Sequence, residues 1–228
     1  MPITDEAIEK IKQMIVSGVL NPGDRLPKES DLAAELGLSR NSLREAVRAL
    51  SLVRILDVRQ GDGTYVTSLE PRALLEGLTF IGDLHHDDTV LEFFEVRRIL
   101  EPAATAMAAR RITEQELTGL RDHLVEVTEE SSVEELVDND LEFHRRIAEA
   151  SGNSLLVSLL NSLSGSTIRG RVWRGLTQDG ARQRTLDEHH AILDALAAGQ
   201  EEVARSWATV HISGVEEWLR RALEDLES

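Results

Sequence analysis

Apolar residues recur at helical spacing over most of this chain, and only two short stretches follow a strand-like pattern. Residues 3–16, 28–37 and 38–54 each place apolar side chains three or four positions apart, which predicts three amphipathic helices. Residues 55–60 and 64–68 are strand-like and flank the turn sequence Gly-Asp-Gly, which predicts a β-hairpin. The first part of the chain is therefore expected to contain three helices followed by two paired strands.

After about residue 77 the apolar stripes all have helical spacing, and no alternating stretch is evident. Short polar or glycine-containing segments separate the stripes. The predicted helices span residues 88–110, 113–131, 133–150, 153–174, 181–198 and 201–226. Amphipathic helices joined by short loops commonly pack as antiparallel neighbours, so this part of the chain is predicted to be a helical bundle.

The stretch DLAAELGLSRNSLREAVRAL, residues 31–50, has the features of a helix-turn-helix. Small Ala33 stands where two helices would cross closely, and Gly37 stands in the turn between them. The second helix is predicted to begin with Ser39 as its N-cap. The apolar seam that the two helices share comprises Leu32, Leu36, Leu38, Leu43 and Ala46. The hairpin that follows would then be the wing of a winged helix-turn-helix.

The predicted fold is mainly α, with two parts that differ in charge. A winged helix-turn-helix of three helices and a two-stranded wing fills residues 1–68, a connector fills 69–76, and an antiparallel all-α bundle fills 77–228. Residues 1–68 hold nine Lys and Arg against ten Asp and Glu, whereas the rest of the chain holds sixteen against thirty-one. Five arginines fall within residues 40–59. A local basic strip on a near-neutral domain indicates contact with nucleic acid, and the acidic remainder argues against blanket binding to it.

The helix that would begin at Ser39 presents the side chains expected of a recognition helix. Residues at the start of such a helix reach base edges, where Arg suits guanine and Asn suits adenine. Other polar residues near the turn and the wing are candidates for contact with phosphate. The candidate DNA-binding residues are Arg25, Ser30, Ser39, Arg40, Asn41, Arg44, Arg48, Gln60 and Gly61. A helical hairpin with a solvated basic face is the alternative interpretation.

The sequences PGDRLPKESDLAAELGLSRNSLREAVRAL and RQGDGTYV together resemble the winged helix-turn-helix of the GntR family of bacterial regulators. The resemblance implies that Arg40 and Arg44 read DNA, with Ser39 and Asn41 beside them. The chain departs from the family pattern after the recognition helix. Members often have a Gly-Leu pair where this chain has Arg54 and the residue after it.

Four side chains in the second part form a candidate metal site. Asp140 and His144 lie one helical turn apart on an apolar face. His189 and His211 fall on opposite sides of Gly199, and a helical hairpin broken there would bring the two imidazoles to about the same level. A carboxylate and three imidazoles suit zinc, nickel, manganese or ferrous iron. A structural Asp–His hydrogen bond is the alternative, and the absence of cysteine excludes a thiolate site.

The stretches NDLEFHRRIAEASGN, DEHHAILDALAAG and ATVHI resemble the FCD ligand-binding domain of the FadR subfamily of GntR regulators. The resemblance implies that a divalent metal, zinc first, is held by the same four residues, Asp140, His144, His189 and His211. It further implies that the metal anchors a small organic acid and that the chain forms a homodimer. Arg97, in EVRRILEP, and Trp173 are the effector-binding candidates, and Arg171 and Arg174 are grouped with Trp173 at the pocket.

The function predicted is a metabolite-responsive transcriptional regulator, a repressor that binds an inverted-repeat operator in double-stranded DNA. A metal-dependent enzyme acting on a small carboxylate is one alternative, although no nucleophile or general-base motif is evident. A regulator that senses the metal itself is another. The chain has no apolar run of about 18 residues and no basic-then-apolar N-terminus, so no membrane partner and a cytoplasmic location are expected. His85, His86 and His123 are predicted to be exposed.

Overall fold

A computed structural model describes residues 3–69, 88–128 and 130–227. The chain divides into two compact units, Met1–Leu74 and Leu75–Ser228. Of the predicted connector at 69–76, only Leu69 lies within the described residues, and His85 and His86 lie outside them.

The first unit contains three helices followed by a two-stranded antiparallel sheet, which confirms the predicted order of elements. The helices are α1 (Ile3–Val16), α2 (Glu29–Leu36) and α3 (Arg40–Leu52), and the strands are β1 (Leu56–Arg59) and β2 (Gly63–Val66). The strand register pairs Leu56 with Val66 and Arg59 with Gly63. The helices enclose one apolar core, which contains Ala7, Ile11, Leu32, Ala33, Leu43, Ala46 and Leu50.

The turn between α2 and α3 follows from two residues. Gly37 adopts a left-handed conformation with φ 66°, which a glycine accepts without steric penalty. Ser39 caps α3, because its Oγ accepts a hydrogen bond from the backbone N–H of Ser42 at 3.0 Å. The predicted cap and turn of the helix-turn-helix are both confirmed.

The end of α3 shows what replaces the glycine of the family pattern. Arg54 adopts φ 59°, a left-handed conformation that an arginine reaches only at an energetic cost. The following N–H, of Ile55, bonds to the carbonyl of Leu50 at 2.9 Å and closes the helix. Arg54 therefore performs the same backbone turn that a glycine would perform with less strain.

In the described residues of the second unit, all regular secondary structure is helical. Its helices are α4 (Asp88–Ala109), α5 (Glu114–Leu124), α6 (Val133–Ala150), α7 (Ser154–Thr177), α8 (Ala181–Ala197) and α9 (Glu201–Glu227). Helix α4 packs against α6, α7, α8 and α9. The largest apolar cluster lies among α4, α5, α6, α8 and α9 and includes Leu120, Phe143, Ile147, Ile192 and Leu196. None of the described helices is long and apolar enough to cross a lipid bilayer.

The prediction for α5 was wrong at its end, and so was the prediction that His123 is exposed. The helix stops at Leu124 instead of continuing to residue 131. His123 is buried, its Nε2 lies 2.9 Å from the carbonyl oxygen of Asn139, and Asn139 Nδ2 donates to the carbonyl of His123 at 2.9 Å. This two-way contact with α6 engages a carbonyl at the end of α5, and a capping box at Ser132 then starts α6.

Candidate metal centre and nucleic-acid interface

All four predicted metal ligands meet inside the second unit. One ligand atom from each of Asp140, His144, His189 and His211 lies within 4.8 Å of the corresponding atom of every other. Asp140 Oδ1 lies 3.6 Å from Nε2 of His144, 3.1 Å from Nε2 of His189 and 3.4 Å from Nε2 of His211. The structure therefore brings together three imidazoles around one carboxylate oxygen.

Three helices supply these side chains. Asp140 and His144 lie one turn apart on α6, as the spacing predicts. His189 lies on α8 and His211 on α9, and the short turn at Gly199, with φ 66°, folds the two helices back on each other. The ring centroids of His189 and His211 are 4.8 Å apart.

The donor set fits a divalent metal ion. His144 Nε2 and both ring nitrogens of His189 are buried, and none of them makes a hydrogen bond to any part of the chain that the structure describes. Buried polar atoms without a partner destabilise a protein, and a cation bound by the Nε2 lone pairs of His144 and His189 would satisfy those two atoms. Burial lowers the pKa of His189 well below its usual value. Burial also lowers the pKa of His211 to about 4, although Glu188 opposes the shift, so both rings are uncharged at pH 7, the form that can donate to a metal ion.

A cavity adjoins the ligand cluster, which consists of Asp140, His144, His189 and His211, and two of these residues form part of the cavity wall. The cavity and its mouth together hold about 590 Å³ of space. Asp140 and His211 belong to both the ligand cluster and the cavity lining. The remaining lining combines arginines with apolar side chains, among them Arg97, Arg171, Arg174, Phe94, Leu136, Val137, Ile212 and Val215. This composition suits a small organic anion, because cations compensate its charge and apolar atoms exclude water.

Four arginines line the cavity, and three of them, Arg97, Arg171 and Arg174, differ in how far their charge is already paired. Arg171 contacts Oδ2 of Asp140, and Arg97 pairs with Glu101. Arg174 donates from Nε to the side-chain oxygen of Gln178 at 2.6 Å, but its Nη2 is buried without a hydrogen bond among the described residues. Burial lowers the pKa of Arg174. Arg174 therefore retains a guanidinium nitrogen that can donate to a carboxylate.

Trp173, predicted to bind the effector, does not line the cavity. Its ring packs against Trp218 with the centroids 5.1 Å apart, in an apolar cluster that also contains the cavity-lining residues Phe94, Ile212 and Val215. On a helix, side chains three positions apart share a face, whereas side chains one or two apart do not. Arg171 and Arg174 accordingly point into the cavity together, and Trp173 points elsewhere.

Sequence reasoning missed two carboxylates that support the histidines. Oε2 of Glu101 lies 3.0 Å from Nδ1 of His144, and Oε2 of Glu188 lies 2.9 Å from Nδ1 of His211. Both glutamates are buried. In the sequence, each of these glutamates could have been noticed as an acidic residue on an otherwise apolar helical face.

The predicted DNA-binding residues of α3 lie on one accessible surface of the first unit. Arg40, Asn41, Arg44 and Arg48 are exposed. Arg44 Nη2 donates to Glu29 of α2 at 3.1 Å, and Arg48 Nη1 donates to Glu45 at 3.0 Å. Ser39, at the cap, is also exposed, whereas Ser30, in the first turn of α2, is half-buried.

The wing holds the remaining candidates. Gln60 and Gly61 are exposed in the turn between β1 and β2. Arg25 donates to the backbone carbonyl of Asp62, and its side chain lies against Gly63, where an added Cβ would stand 2.5 Å from Arg25 Nε. Arg25 is therefore anchored to the wing.

Two family models match the chain. Residues 3–66 match the model described as "Bacterial regulatory proteins, gntR family", and residues 92–214 match the FCD domain.

Relatives resemble the chain over most of its length. It is 33% identical to the HTH-type transcriptional regulator LutR of Bacillus subtilis (strain 168), over 93% of this chain and 99% of that protein. It is 30% identical to a candidate regulatory protein of the L-lactate dehydrogenase operon of Escherichia coli (strain K12), over 98% and 88%. The galactonate operon transcriptional repressor of the same strain is 27% identical, over 92% and 93%.

A solved structure shows the same fold. The Streptococcus agalactiae GntR structure superposes with a TM-score of 0.71 at 29% identity, and the alignment covers 94% of this chain and 99% of that one.

Proposed function

Because this chain belongs to the gntR family of bacterial regulatory proteins, we propose that it is a repressor whose DNA binding is relieved by a small metal-anchored acid. The family and the relatives are DNA-binding transcriptional regulators and not enzymes. The metalloenzyme alternative is therefore set aside.

The wall that the ligand cluster shares with the cavity is the main support for this proposal. Asp140 and His211 belong to both, so an acid in the cavity lies beside the metal position. A divalent metal held by Asp140, His144, His189 and His211 would supply a Lewis-acidic centre for a carboxylate. Arg174, which also lines the cavity, would engage the same anion through its guanidinium.

We propose a 2-hydroxy carboxylate as the effector. The carboxylate and the neighbouring hydroxyl offer two oxygen donors to one metal ion. Two relatives are named for the L-lactate dehydrogenase operon and the galactonate operon, and lactate and galactonate both carry a hydroxyl beside the carboxylate.

In the first unit, Arg40, Asn41 and Arg44 are proposed to read bases, and Arg25, Ser30, Ser39, Arg48, Gln60 and Gly61 to contact the backbone or the groove edges. Two chains in a homodimer would present two recognition helices related by a twofold axis, which matches an inverted repeat. The acid would shift the population of dimers away from the spacing that fits the operator, which takes only a few kcal/mol of differential binding.

The test is a gel-shift titration of the zinc-loaded chain on its operator, found by selection from random DNA. L-lactate, glycolate and galactonate are compared with acetate and propanoate, which lack the 2-hydroxyl group. Release by the hydroxy acids alone is the expected result. DNA retention that no acid diminishes would contradict relief by an acid, and release that follows zinc at constant acid would favour metal sensing.

A further inference from the structure

Two buried carboxylates stand directly behind two of the metal ligands. Glu188 Oε2 lies 2.9 Å from Nδ1 of His211, across the hairpin between α8 and α9. Glu101 Oε2, on α4, lies 3.0 Å from Nδ1 of His144. In both histidines the carboxylate is at Nδ1, and Nε2 faces Asp140.

We propose that Glu188 and Glu101 are positioning residues that hold His211 and His144 in the Nδ1–H tautomer, so that Nε2 binds the metal. An imidazole whose Nδ1–H donates to a carboxylate leaves the Nε2 lone pair free, and the carboxylate makes that nitrogen a stronger donor. The inference rests on the proposed metal site and adds residues that lie outside the four ligands.

His189 provides an internal contrast. Its ring stacks on Phe143 with the centroids 4.3 Å apart and the planes 28° apart. Neither ring nitrogen makes a hydrogen bond within the described part of the chain. Packing therefore orients His189, whereas in each of the other two imidazoles a carboxylate oxygen lies within 3.0 Å of Nδ1.

Arg97 holds Glu101 in place, so this arginine has a structural role as well as its predicted role in binding the acid. Arg97 pairs with Glu101 through Nε, and its Nη1 donates to Thr167 Oγ1 at 3.2 Å. All three side chains are buried. Arg97 also lines the cavity, so it links the proposed acid site to Glu101, the carboxylate beside His144. In addition to its predicted contact with the acid, Arg97 therefore holds Glu101 in place.

Glu216 is a matched control for Glu188. It is a buried glutamate of the same unit, but it pairs with Arg98 and Arg220 instead of a histidine. The variants Glu188→Ala, Glu188→Gln and Glu216→Gln are prepared in the full chain. Zinc affinity is measured by competition with a chromophoric chelator, and the stability of the metal-free chains is measured separately by urea unfolding.

Glu188→Ala is expected to weaken zinc binding about 10- to 100-fold. Glu188→Gln should restore part of the loss, because its amide oxygen still accepts from Nδ1–H. Glu216→Gln should leave zinc affinity within about twofold of the starting chain. Glu101→Gln should likewise weaken zinc binding more than Glu216→Gln does. The visible spectrum of the cobalt-loaded chain should change in the Glu188 and Glu101 variants and stay the same in Glu216→Gln.

A second readout tests the tautomer directly. In the zinc-loaded chain labelled with ¹⁵N-histidine, the Nδ1 protons of His144 and His211 are expected in two-bond correlation spectra. Protonation at Nε2 of either ring would overturn the inference. Equal zinc affinity in Glu188→Ala and the unmodified chain would also overturn it, as would an equal loss in Glu216→Gln. If the unmodified chain binds no zinc, cobalt, nickel or manganese, the proposed metal site itself fails.

Discussion

Arg171 contacts one oxygen of the Asp140 carboxylate, while the other oxygen faces the three histidines. Asp140 therefore belongs to both the candidate metal site and the cavity, and its charge offsets that of a buried guanidinium. This relationship makes Asp140 the residue whose loss should affect folding and metal binding together.

Asp140→Asn preserves the shape of the side chain and removes its charge. We expect zinc affinity to fall at least about tenfold, because a carboxylate ligand is lost. We also expect the metal-free chain to lose about 3–5 kcal/mol of stability, because Arg171 is left buried without its counter-charge. Chelator competition and urea unfolding measure the two effects. Asp138→Asn, an exposed neighbour on the same helix, should change neither, and an equal effect there would contradict the assignment.

His189→Ala should reduce both the metal content and the response to the acid. The variant removes a ligand whose ring nitrogens make no other hydrogen bond among the described residues. Elemental analysis after gel filtration measures the metal, and the gel shift measures the response. The adjacent His190, whose Nδ1 lies 2.7 Å from the carbonyl oxygen of Leu186, is the control. A full metal complement in His189→Ala would refute its role as a ligand.

Arg174→Met should separate acid binding from metal binding. The guanidinium has a buried Nη2 without a hydrogen bond in the described residues, and a charge-assisted hydrogen bond contributes about 1.5–3 kcal/mol. The acid concentration needed to release DNA should therefore rise at least about tenfold, with zinc affinity unchanged. Arg169→Met, on an exposed position of the same helix, should leave the titration unaltered. Loss of zinc from Arg174→Met would contradict a role limited to the acid.

Periodicity was sufficient to predict the order of the helices, the wing and the convergence of the four candidate metal ligands. Asp140 and His144 follow from the spacing of one helix, and His189 and His211 follow from counting outward from Gly199. These are local relationships, which a sequence displays directly. The structure confirms the mainly helical fold with its two-stranded wing and brings the four ligands together.

Relationships between distant helices were not available from the sequence. Glu101 meets His144 only because α4 packs against α6 at one register, and no spacing along the chain encodes that register. The prediction that His123 is exposed failed because its partner, the backbone carbonyl of Asn139, lies on another helix. Trp173 was grouped with Arg174 by nearness in sequence, whereas the helix directs them to different faces.

Arg54→Gly should stabilise the first unit. Arg54 occupies a left-handed conformation, φ 59°, which costs a non-glycine residue about 1 kcal/mol. The gain should remain below that value, because glycine also increases the entropy of the unfolded chain. Hydrogen exchange of the α3 amides measures the change. Val53→Gly, at φ −92°, should destabilise the same helix, and stabilisation by both variants would show that the φ angle is not the cause.

Arg40→Ala and Arg44→Ala should weaken operator binding and leave acid and zinc binding intact. A bidentate contact with a base is worth about 1–3 kcal/mol of discrimination, so the operator should lose more affinity than a scrambled duplex. Arg44 has an added constraint, because its contact with Glu29 holds the side chain between α2 and α3. Fluorescence anisotropy on both duplexes at two salt concentrations separates base reading from phosphate contact. Loss of a phosphate contact would lower the affinity for both duplexes and reduce the salt dependence of binding. Lys12→Ala, an exposed cation of α1 paired with Glu9, is the control. Arginine variants that lost acid binding while retaining the operator would reverse the assignment of DNA reading to the first unit and sensing to the second.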